Sequence, residues 1–134
     1  MTTKANLEEM VKDLDALTHL ECDGLSHQIV HRLTTLGVSC QLFSGIVTLG
    51  NHVVRPHYWV VVGDLIIDYR VRRWMQNDPE APHGVFHPAE TDAEYDGIEA
   101  KKLTLPTGLM EFLAIPDDVF LAKLAEQTGM NFKD

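Results

Sequence analysis

Leu7, Met10, Val11, Leu14, Leu17 and Leu20 recur three or four positions apart, the spacing that puts side chains on one face of a helix. The spacing predicts a helix over residues 7–19, with Asn6 as its cap and Glu9 three residues on, as in a capping box. In "ECDGLSHQIVHRLTTLG", Leu25, Ile29, Leu33 and Leu36 again share a helical face. Asp23 suits the positive N-terminus of that helix and Gly37 its stop, so Cys22 stands at the helix mouth.

The period then changes. "VSCQLFSGIVTL" is rich in β-formers, and Gly45 marks a bulge or bend. "GNHVVRP" reads as a turn and connection. Strands follow at 57–62 and 65–70, and Gly63-Asp64 between them suits a tight hairpin turn. From Gln76 to Gly97, Pro79, Pro82, Pro88 and scattered acids remove any periodicity. That stretch reads as a long loop, either a lid or a plain surface connection. "AKKLTL" reads as a further strand, "PTGLMEFLA" as a short helical turn, and "PDDVFLAKLAEQTG" as a closing helix.

A two-residue turn fixes the hairpin's register. Val62 faces Leu65, Val61 faces Ile66 and Val60 faces Ile67; extended outward, Trp59 faces Asp68 and His57 faces Arg70. Because side chains alternate, His57, Trp59, Val61, Ile66, Asp68 and Arg70 share one face. His57 and Asp68 are then diagonal neighbours within side-chain reach, and a one-residue slip would part them. A carboxylate that accepts from one imidazole nitrogen leaves the other to handle a proton. An ion pair of Asp68 with Arg70 or Arg72 is the structural alternative.

The missing part of that chemistry is a nucleophile. Cys22, at a helix N-terminus, meets the conditions under which a thiol ionises readily, and the same N–H groups could hold an oxyanion. Its flanks, Glu21 and Asp23, argue against a deep apolar site but oppose ionisation by their charge. Cys22, His57 and Asp68 form a candidate thiol triad. Cys40, inside a strand pattern, reads as core, and Trp59 and Trp74 read as packing residues.

The order Cys, helix, then strands carrying His and Asp resembles the transglutaminase-like superfamily of papain-like thiol enzymes. "CDGLSHQIVHRLTTLGVSCQLFSG" is similar to that family's cysteine helix, with small Ser26 four residues after Cys22. "HYWVVVGDLIID" resembles its histidine strand, turn and aspartate-ended strand. The family usually has a small residue where Tyr58 follows His57, and proline or threonine where Tyr69 follows Asp68. The resemblance spans about residues 20–74 and implies an α+β fold, N-terminal helices packed on a small antiparallel sheet, as a single domain over 1–134. It implies a cysteine hydrolase acting on a peptide bond or a glutamine side chain through a thioester. Cys22 would be the nucleophile, His57 the general base then acid, and Asp68 the orienting carboxylate. The competing expectation is a papain-like binding module or effector domain without turnover.

Bulk properties narrow the partners. The chain's 134 residues suffice for one domain. A net charge of −9 argues against nucleic acid, since Arg70, Arg72 and Arg73 are a local cluster and not a stripe. No apolar run approaches a membrane span, and the first 20 residues lack a signal core. The expected setting is the cytoplasm, with free thiols and a protein or peptide substrate; export as an effector stays open. No cofactor is expected. His27 and His31 are four apart on a helix, but the glutamate of the metalloprotease signature is missing, and His83 and His87 fall in a loop, so no metal is expected either.

Overall fold

The computed structural model describes residues 3–100. The strand, helical turn and closing helix expected after Ala100 lie outside the described residues. Within them the fold is α+β: helices packed on a five-stranded antiparallel sheet. Among the described residues no helix is long and apolar enough to cross a membrane.

The first helix, α1, spans Lys4–Val11 and continues as a 3-10 helix over Lys12–Ala16. It is capped by Thr3, whose hydroxyl accepts the Asn6 N–H, and not by Asn6 as expected. It also ends earlier than residue 19. The carbonyls of Asp15, Leu17 and Leu20 accept from the Arg70 guanidinium, which takes the place of continued helical bonding. The second helix, α2, spans Cys22–Thr35. Leu25, Ile29, Val30 and Leu33 are its buried face, and Gly37 closes its end at φ +78°.

Strands β1 (Gln41–Leu49) and β2 (His52–Val62) form a hairpin closed at Gly50, which has φ +57°. The residues expected to be only a connection are therefore mostly strand. Beyond β2, β3 spans Leu65–Asp68 and leads into a short helix, α3 (Val71–Trp74). The expected strand to residue 70 stops at Asp68 because its carboxylate captures the N–H groups of Arg70 and Val71 and turns the chain. The stretch expected to be an irregular loop contains β4 (Gly84–Phe86), a 3-10 turn at Pro88–Glu90 and β5 (Glu94–Glu99). Backbone pairing at the two sheet edges orders it without a hydrophobic period.

The sheet order is β4-β3-β2-β1-β5. The β2–β3 register pairs Val62 with Leu65, Val61 with Ile66 and Val60 with Ile67, as the turn requires. A register shift between Gly45 and Val47 is the bulge expected at Gly45. Gly45 and Gly97 face one another in the ladder. A methyl group on Gly45 would lie 2.1 Å from the Asp96 carbonyl oxygen, so only glycine lets β5 approach β1 there.

The two faces of the sheet bury separate cores. On one, Leu7, Val11, Leu25, Ile29 and Leu33 from the helices meet Leu42, Val60, Val62, Ile67 and Val85. On the other, Val47, Val54, Trp59, Ile66 and Phe86 meet Val71, Met75 and Ala81 from α3 and the chain that follows.

Candidate active site

His57 comes from β2 and Asp68 from the end of β3, and both are almost wholly buried. The imidazole Nε2 donates to Asp68 Oδ2 at 2.7 Å. The diagonal contact predicted from hairpin parity is therefore present. Asp68 is held from every side. The Tyr95 hydroxyl also donates to Oδ2 at 2.8 Å, and the Arg70 and Val71 N–H groups donate to Oδ1 at 3.0 Å each. Trp59 lies stacked beside the imidazole, with ring centroids 6.3 Å apart and planes 24° apart, and Tyr95 meets Trp59 edge-on at 4.9 Å.

The second imidazole nitrogen, Nδ1, is buried and makes no closed hydrogen bond. Cys22 is near enough for its sulfur to favour the protonated ring. Burial pulls the His57 pKa down, but the charge of Asp68 and its hydrogen bond, with Cys22 adding to both effects, outweigh it and push the pKa up to about 9. Burial and the Asp68 carboxylate raise the Tyr95 hydroxyl far above its ordinary value, so it stays protonated and acts as a donor.

Cys22 is the first residue of α2 and is half-buried. Its helix carries no side-chain cap from Glu21, so the Glu21 side chain satisfies none of the first-turn N–H groups. The two flanking acids are both engaged. Glu21 lies 3.3 Å from an Arg73 nitrogen and Asp23 lies 3.0 Å from His27 Nδ1. Cys40 is buried in the helix-side core. Neither cysteine is in a disulfide.

Arg70 ties the cysteine side of the site to the histidine side. It follows Asp68 by two residues and is 2% exposed. Its guanidinium donates to Asp15 Oδ1 at 2.7 Å and to the Leu20 and Leu17 carbonyls at 2.7 and 2.9 Å, in the segment that leads into Cys22. Arg73 adds a contact to the Thr18 carbonyl. The expected alternative, an ion pair of Asp68 with Arg70 or Arg72, is not what forms. The Arg70 side chain turns to Asp15, and Arg72 donates to the Ala81 carbonyl.

A cavity of about 260 Å³ opens at Cys22 and is lined also by Val53, Val54, Arg55, Pro56 and Trp74. Trp59 is buried packing, as expected, but Trp74 is 53% exposed. Val71 in that short helix and Met75 just after it are buried in the core, and the indole is left at the cavity wall. Sequence reasoning missed Tyr95 and Arg55, and it gave Arg70 the wrong partner, Asp68 in place of Asp15. In β5 Tyr95 and Gly97 are the less exposed positions between exposed Glu94, Asp96 and Ile98, an alternation that does not tell which strand Tyr95 will flank.

The histidine pairs are spread over separate partners. His27 bonds within its own helix, His83 pairs with Asp15, and His87 caps the 3-10 turn and lies 3.4 Å from Asp64. Among the described residues no group of three or more His, Cys, Asp or Glu side chains gathers as a metal site. Comparison with known proteins gives no match: no family model, curated protein or solved structure resembles the chain significantly.

Proposed function

We propose that the protein is a cysteine-dependent hydrolase acting on an amide, either a peptide bond or a glutamine side chain, on a papain-like, transglutaminase-like fold. One observation carries the reading: the buried His57 is bonded to Asp68 through one ring nitrogen and keeps the other unbonded beside Cys22. A histidine that served only the core would have both nitrogens satisfied.

With its pKa at about 9, the His57 ring holds a proton at neutral pH. The thiolate of Cys22, formed beside that imidazolium, is the nucleophile. The sulfur attacks the carbonyl carbon, and the oxyanion is received by N–H groups at the start of α2. The C–N bond breaks as the imidazolium gives its proton to the leaving nitrogen, which departs as an amine or ammonia. Water then attacks the thioester, the neutral ring takes the water's proton, and the carboxylic acid product leaves the sulfur free. Asp68 holds the ring in one orientation throughout and stabilises its charge.

Thiol alkylation against pH, read by intact mass and peptide mapping, tests this. At pH 7 Cys22 should react at least about tenfold faster than Cys40, and His57→Ala should remove the advantage. If both thiols label alike and only above about pH 8, the protein is a binding module without turnover. Electrophiles carrying peptide or glutamine-like groups would then separate a peptidase from a deamidase.

A further inference from the structure

The described residues include five arginines, and four of them are engaged. Arg32 binds Asp13 bidentately, Arg70 binds Asp15, Arg72 binds the Ala81 carbonyl, and Arg73 reaches Glu21. The Arg55 side chain has no hydrogen bond or ion pair among the described residues, although acids outnumber Lys and Arg in the chain by 20 to 11. It is exposed, two residues before His57, and lines the cavity that Cys22 opens into. The remaining walls, Val53, Val54, Pro56 and Trp74, offer apolar surface. Val53 and Trp74 are 57% and 53% exposed, so neither is serving a core. The carboxylates closest to Cys22 in sequence, Glu21 and Asp23, each face a cationic or imidazole partner instead of Arg55.

We propose that Arg55 reads a carboxylate on the acyl half of the substrate, so that the enzyme acts on an amide whose acyl residue combines an apolar stem with a nearby negative charge. This rests on the thiol-hydrolase reading and adds the substrate class. A guanidinium on a largely apolar wall is suited to the work: it is weakly hydrated, always charged, and shaped to grip a carboxylate with two N–H groups. The apolar walls take up the stem of the acyl residue, and the Arg55 guanidinium, without a partner among the described residues, fixes where its charge must lie. On a protein whose net charge is −9, Arg55 gives an anionic substrate a local attraction at the cavity, so the cation orients the substrate as well as binding it.

Two probes of nearly equal size differ only in charge: iodoacetate and iodoacetamide. The rate ratio of the two at Cys22, measured on the intact protein and referred to a small free thiol, reports the attraction for an anion at the sulfur. Some of that attraction comes from His57, so the informative quantity is the change on substituting Arg55. Arg55→Gln should lower the iodoacetate-to-iodoacetamide ratio about tenfold, Arg55→Glu should lower it further, and Arg55→Lys should retain most of it. Raising the salt from about 0.1 to 1 M should shrink the wild-type ratio more than that of Arg55→Gln. A ratio unchanged in Arg55→Gln, with Cys22 still the fast thiol, overturns the anion-reading role and leaves the hydrolase reading standing. If iodoacetamide itself labels Cys22 no faster than Cys40, the hydrolase reading fails first and the specificity falls with it. Peptide electrophiles bearing Glu or Gln beside the reactive group should show the same ordering, and no preference for Glu would also count against Arg55.

Discussion

Asp68 accepts four hydrogen bonds, and their arrangement explains how its carboxylate is held in place inside the protein. Two come from backbone N–H groups on Oδ1 and two from His57 and Tyr95 on Oδ2. Its field keeps His57 protonated to about pH 9 despite burial. Asp68→Asn removes that field while preserving shape, so the His57 pKa should fall toward the ordinary 6.5. Tyr95→Phe should move it the other way, because a carboxylate with one donor fewer turns more of its charge on the imidazolium. NMR titration of the His57 ring in the three proteins checks both directions, and equal pKa values in all three would deny the carboxylate its role. The contact between residues 57 and 68 was legible because hairpin parity depends only on turn length. Tyr95 was not, because nothing in "AEYDGIEA" signals which distant strand it will flank. Arg70 was misread for a related reason. Parity put it on the face of His57, but Asp68 turns the chain there and releases its side chain toward Asp15.

The elements divide by how local their causes are. Helix α2 was readable because Leu25, Ile29 and Leu33 line one face and Gly37 ends it. The β2–β3 turn was readable from Gly63. Strands β4 and β5 were hidden among prolines, because short edge strands are made by pairing to a neighbour and not by their own pattern. The early end of α1 was hidden too, since its cause is a guanidinium some 50 residues later in the chain. That guanidinium is the clasp between β3 and the segment entering α2. Arg70→Met removes the donor to the Asp15 carboxylate and to the Asp15, Leu17 and Leu20 carbonyls in a partly buried site, a loss on the order of 3 kcal/mol or more. Urea unfolding should show that loss. Alkylation under native conditions should show Cys22 losing its rate advantage, because its backbone is no longer held against His57. Retained reactivity with lowered stability would mean that α2 is positioned by its core contacts alone.

At the scale of the molecule, the site makes stability depend on pH in a direction opposite to that set by most buried carboxylates. A raised pKa in the folded state means that the native protein holds the His57 proton more tightly than the unfolded chain does. The contribution is therefore fully present below about pH 6.5, declines as the pH rises, and is gone above about pH 9. A shift from 6.5 to about 9 corresponds to about 3 kcal/mol at most. The net charge of −9 at pH 7 works in the same direction, since self-repulsion grows as the remaining cations titrate. The two effects separate in a comparison with His57→Gln, which keeps the general repulsion and lacks the proton. Urea unfolding of both proteins from pH 6 to 9.5 should find wild type losing about 2–3 kcal/mol more than the variant, with the steepest divergence between pH 7 and 9. A difference that stays constant across that range would mean that the buried imidazole takes up its proton no more readily than an exposed one. The imidazolium from which the proposed reaction starts would then be absent at neutral pH, and His57 would first have to act as a base.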